Sequence, residues 1–84
     1  MNVFKVPDSL ADKYHGAGYG LAATAAGQLV DIVYLEDVLP EFDGTRSAAM
    51  RAINDARLAP TVRQLQALGQ VHVGMLSSWE FVEL

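Results

Sequence analysis

The residues most able to do chemistry in this chain are acids. Glu36, Asp37, Glu41 and Asp43 fall within eight positions, Asp31 precedes them, and no Lys or Arg interrupts residues 31–43. Paired carboxylates can serve as general acid and base or hold a hard cation. The spacing matches no EF-hand loop, and Mg²⁺ held by exposed loop acids alone is bound weakly. Residues 44–63 reverse the sign, with Arg46, Arg51, Arg57 and Arg63 against Asp55 alone. Such charges ordinarily form solvated faces, and loop acids sit favourably near the N-terminus of a following helix. Their functional alternative is docking on a basic partner, where charge speeds encounter and fixes register. Glu36, Asp37, Glu41, Phe42 and Asp43 are therefore the candidate partner-binding residues, with Pro40 and Phe42 seating the loop.

Other chemistry is poorly supplied. His15 and His72 are the only imidazoles, fifty-seven positions apart, and there is no Cys, so a zinc site lacks its third and fourth ligands. The absence of Cys also excludes disulfides and thiol nucleophiles. His72 alternates with Val71 and Val73 and faces away from them in a strand. Ser47, Ser77 and Ser78 stand in no nucleophile-elbow context, so no hydrolytic triad is written. Gly16-Ala17-Gly18-Tyr19-Gly20 departs from the dinucleotide fingerprint because its third Gly comes one residue early. A flexible turn explains it. These residues predict no catalytic centre, no metal, no cofactor and no enzyme.

The elements that position the acids follow from periodicity and breakers. Val3-Phe4-Lys5-Val6 reads as a strand stopped by Pro7-Asp8, and Ser9 with Asp12 caps a helical turn through Tyr14. Tyr19–Ala25 reads as strand or, being Ala-rich, as helix. Gln28–Glu36, with Val30, Ile32, Val33 and Tyr34, reads as strand, and Gly27 turns a hairpin between the two. Leu39-Pro40 ends the hairpin, and Thr45 or Asp43 caps the main helix. That helix is broken, over about 46–59 and 60–68, with Pro60 at the break and Gly69 as the stop. Ala49, Ile53 and Ala56 share a face of the first part, with Met50 beside them, while Val62, Leu65 and Leu68 line the second. Val71–Leu76 and Trp79–Leu84 form either a hairpin or one bulged strand. The fold class is α+β over 1–84 as a single small domain, its mostly antiparallel sheet covered on one face by the broken helix. Ile53, Leu65, Val73 and Phe81 should be buried where helix meets sheet. Phe4, Tyr34 and Trp79 complete the aromatic core, Trp79 becoming an interface anchor if exposed.

Length and composition bound what this fold can do. Eighty-four residues, 51% of them hydrophobic and 19% charged, make a globular chain rather than a disordered tail. A net charge of −4 argues against direct nucleic-acid binding. The N-terminus lacks a signal-peptide pattern, and four glycines with Gln28 and Asp31 spoil Gly16–Leu35 as a membrane span. The expected location is cytoplasmic, without membrane contact. Few charges blunt Val71–Leu76, so open sheet edges predict a homodimer or a complex with another protein. In size, charge and layout the chain is similar to the very small acidic α+β proteins of phages and other mobile elements, anti-CRISPR proteins among them. That likeness covers no motif. It implies an inhibitor that occludes a basic surface of a larger host complex. The alternatives are a self-associating structural or virion-accessory subunit, and a small oligomeric ligand-binding protein or enzyme with an interface site.

Overall fold

A computed structural model of the chain describes residues 2–3, 18–76 and 80–83. Its strands are β1 (Asn2–Val3), β2 (Tyr19–Ala25), β3 (Gln28–Tyr34), β4 (Gln70–Met75) and β5 (Glu80–Glu83). They form one antiparallel sheet in the order β1-β5-β4-β2-β3. Between β3 and β4 run α1 (Leu35–Val38), α2 (Arg46–Ala52), a 3-10 turn at Ala56–Leu58, and α3 (Ala59–Gln66). The architecture is α+β. Phe4–Val6 of the first expected strand, the Ser9-capped turn, His15, Gly16, Ser77, Ser78 and Trp79 lie outside the described residues.

Tyr19–Ala25 is strand, although its composition also suits a helix. The reason is tertiary: β2 lies between β3 and β4, and Leu21, Ala22 and Ala23 are each fully buried. Burial on both faces favours a pleated chain with small residues where neighbours crowd in. Tyr19, Leu21 and Ala23 join Leu35, Ala49, Ala52, Leu58, Leu65, Val71 and Val73 in the core between sheet and helices. The opposite sheet face gathers Ala22, Leu29, Ile32, Leu76 and Phe81, with Tyr34 against them. Phe81 is thus buried as expected, but on the face away from the helices; Val82, one position on, meets the helix side. The β2–β3 hairpin turns through Ala26-Gly27, which join the paired residues Ala25 and Gln28 and both have positive φ, 54° and 75°. That pattern suits a type I′ turn.

β4 and β5 pair as a hairpin rather than one bulged strand. Gly74 makes this possible, because a Cβ there would lie 1.7 Å from the Glu80 carbonyl oxygen. β4 is also flanked on its other side by β2, so Val71–Leu76 is an interior strand, not the open edge expected from its few charges.

The broken helix breaks earlier than Pro60. α2 ends at Ala52, Asp55 caps the 3-10 turn, and α3 starts at Ala59 with Pro60 in its first turn. Asp competes for backbone N–H groups and so interrupts helix where a cap can form. The interruption resets the helical phase. Ala56 is therefore exposed, and Ile53 is half-buried at the end of α2 instead of fully buried. In α3, Leu65 is buried and Val62 packs against the core, while Leu68 lies past the helix end and is exposed.

Candidate partner-binding site

Strand β3 stops at Tyr34, two residues before the expected Glu36. Leu35, fully buried, turns into the core, and the chain winds the single turn of α1, closed by the Leu39 N–H donating to the Leu35 carbonyl at 2.8 Å. Glu36 and Asp37 consequently project from a helix turn rather than a hairpin end. Both are exposed, and neither makes an ion pair or side-chain hydrogen bond among the described residues. Their place in the first turn suits the partial positive charge of that end.

Glu41 and Asp43 are engaged inside the molecule. Asp43 Oδ1 accepts from the Thr45 N–H at 2.9 Å and from the Thr45 hydroxyl at 2.7 Å. Thr45 Oγ1 in turn accepts from the Ala48 N–H at 3.1 Å, so Thr45 caps α2 and Asp43 orients the cap. Hydrogen bonds from the Thr45 hydroxyl and N–H hold the Asp43 carboxyl below its usual range. Arg57 donates to Glu41 and, through Nη2 at 2.7 Å and Nε at 3.1 Å, to Asp55. Its guanidinium lowers the Glu41 carboxyl, brings Asp55 to about 2, and is itself held more firmly protonated by the two acids. Asp55 also accepts from the Arg57 N–H at 2.9 Å.

Phe42 is half-buried and packs on the main core. Its ring meets Tyr19 edge-on, centroids 6.4 Å apart and planes at 80°. Two concavities flank it. One, of about 190 Å³, lies between the loop and α2, with Glu41, Asp43, Arg51, Asp55 and Arg57 around Leu39, Ala48 and Ala52. The other, of about 240 Å³, is lined by Gly18, Tyr19, Tyr34, Glu36, Phe42, Asp43 and Gly44.

The structure therefore gathers Glu36, Phe42 and Asp43 about one cavity and turns Glu41 toward another. Asp37 sits beside Glu36 on α1 and lines neither. Sequence reasoning missed Tyr19, Tyr34, Arg57 and Asp55 as neighbours of the acids. Arg57 lies sixteen positions from Glu41, beyond any local pattern. The signal that would have found Asp55 and Arg57 is a capping acid followed two positions on by a complementary charge.

His72 is 1% exposed on the face away from the helices. Its Nε2 lies 3.0 Å from Thr24 Oγ1, and its ring centroid is 5.7 Å from that of Phe81. It turns away from Val71 and Val73, as the alternation requires, and packs against Phe81. Among the described residues no group of three or more His, Asp or Glu gathers with metal-binding geometry. No described helix is long and apolar enough to cross a membrane. The sequence matches no protein-family model and no curated protein.

Proposed function

We propose that the chain is a non-enzymatic protein-binding module of inhibitor type, which occludes a basic surface on a larger complex through α1 and the loop after it. The observation that carries this reading is the contrast within one acidic run. Glu41 and Asp43 are committed to Arg57 and Thr45, whereas Glu36 and Asp37 stand exposed without a described partner. Complementary charge of this kind acts mainly on the rate of encounter and on register. Phe42 supplies the apolar seat between them. The alternative, a self-associating subunit, draws its support from Val30, which is 39% exposed on the outer strand β3.

The test is titration with an oligoarginine peptide by calorimetry at low and high salt. Glu36→Lys/Asp37→Lys should retain the circular dichroism of the parent, since exposed charges alter stability by about 0.5 kcal/mol or less. It should weaken binding about tenfold at low salt and flatten the salt dependence. Equal affinities and equal salt slopes for the two proteins would remove α1 from the interface.

A further inference from the structure

We propose that the 240 Å³ cavity beside α1 receives one arginine side chain from the basic partner. The inference rests on the docking reading above and names the group that would be recognised. Four features of the lining select a guanidinium. Half-buried Phe42, packed edge to face with the buried Tyr19 ring, offers the aromatic surface on which a planar cation stacks. Glu36 and Asp43 supply two carboxylates, and no Lys or Arg lines the cavity among the described residues. Asp43 accepts from Thr45 through Oδ1, and Oδ2 accepts no hydrogen bond among the described residues. Gly18 and Gly44 add no side chain to the lining, which Tyr34 completes among the described residues. The volume falls below the roughly 300–1,000 Å³ of small-molecule pockets and fits one long side chain.

The neighbouring concavity makes the contrast. Arg51 and Arg57 line it, and its carboxylates Glu41 and Asp55 already bond Arg57, so an added cation would meet its own charge there. Among the described residues the cavity beside α1 is lined by carboxylate and aromatic surface with no Lys or Arg, and Arg51 acts on its Asp43 only as a weaker, through-space charge. Arginine is favoured over lysine because its fork pairs with a carboxylate while its plane lies on a ring.

The experiment is an amide-shift titration by nuclear magnetic resonance, using N-acetylarginine amide as probe and the neutral citrulline analogue as its control. Saturable shifts at Gly18, Phe42 and Gly44 with the arginine probe, and at least tenfold weaker response to citrulline, are expected. Phe42→Leu, which keeps an apolar seat but removes the ring, and Glu36→Gln should each weaken the arginine probe about three- to tenfold. Shifts confined to Glu36–Val38, with Gly18 and Gly44 still, would overturn the cavity while leaving α1 as a docking face. Equal response to arginine and citrulline, or no loss in either variant, would also overturn it. Docking itself fails separately, in the oligoarginine titration, if reversing Glu36 and Asp37 changes nothing.

Discussion

At the scale of single residues, the acidic run divides by what each carboxylate already holds. Asp55 shows the strongest environment, its carboxyl brought to about 2 by Arg57, and Glu41 and Asp43 are lowered by Arg57 and Thr45. Each folded pKa lies below its unfolded value of about 4. The stability these groups contribute is therefore complete above that value and is lost as pH falls through the folded one. For Asp55 the window runs from about pH 4 down to about 2. The wild-type melting temperature should drop across this interval, and Asp55→Asn should be less stable at neutral pH with a shallower acid decline. Exposure and salt keep the effect small, so the comparison belongs at low ionic strength. Melting curves that change with pH identically in the two proteins would show that the carboxylate contributes nothing through its charge. Glu36 and Asp37 make no such bonds among the described residues, and the proposed docking reading rests on them.

At the scale of elements, local signals were readable wherever the chain itself enforces them. The Gly27 turn, the Thr45 cap and the strand at β3 each follow from residues adjacent in sequence. The turn also shows where local chemistry is not optimal, because Ala26 holds φ 54° with a Cβ. Left-handed backbone costs an L-residue about 1–2 kcal/mol, and Asn tolerates it better. Ala26→Asn creates the Asn-Gly pair favoured in type I′ turns and should stabilise the domain by about 0.5–1 kcal/mol, read as a raised midpoint in urea. An unchanged or lowered midpoint would refute the strain. What stayed illegible depended on distant contacts. The interior position of β4 comes from β2 pairing across about fifty residues, and the face chosen by Phe81 comes from its pairing opposite Gly74. Ile53 was misplaced because the helix ends at Ala52, which periodicity alone does not reveal. The site was legible as a run of acids but not as a cavity, since Tyr19 reaches Phe42 only through the folded sheet. The packing distinction is measurable. Leu65→Ala, at a 2% exposed position, should cost about 2–5 kcal/mol, whereas half-buried Ile53→Ala should cost about half as much or less. Equal losses would mean that the two side chains fill the core alike.

At the scale of the molecule, the question is which surface is left for association. Strand β4 is interior, so the reason for expecting a homodimer moves to the outer strand β3. There the chain carries two devices that oppose strand pairing. The register with β2 shifts between Ala23 and Thr24, which leaves Val30 as a bulged residue between Leu29 and Asp31. Asp31 Oδ1 also accepts the Ile32 N–H at 2.8 Å, taking a backbone donor that an added strand would use. Bulges and charges on outer strands are recurrent means of preventing edge-to-edge association. Asp31→Val removes the charge and the competing acceptor, and it joins Val30, Ile32 and Val33 in an uninterrupted apolar run. The variant should therefore gain mass with concentration in size-exclusion chromatography with light scattering, under conditions where the parent mass is constant. Circular dichroism of the variant should still report the same mixed helix and strand content, which separates association of folded chains from misfolding. A variant whose mass stays equal to the parent across the concentration series would show that Asp31 does not guard this edge. A parent that itself dimerises, and loses the dimer on Val30→Lys, would place self-association at β3 and favour the structural-subunit reading over the inhibitor one.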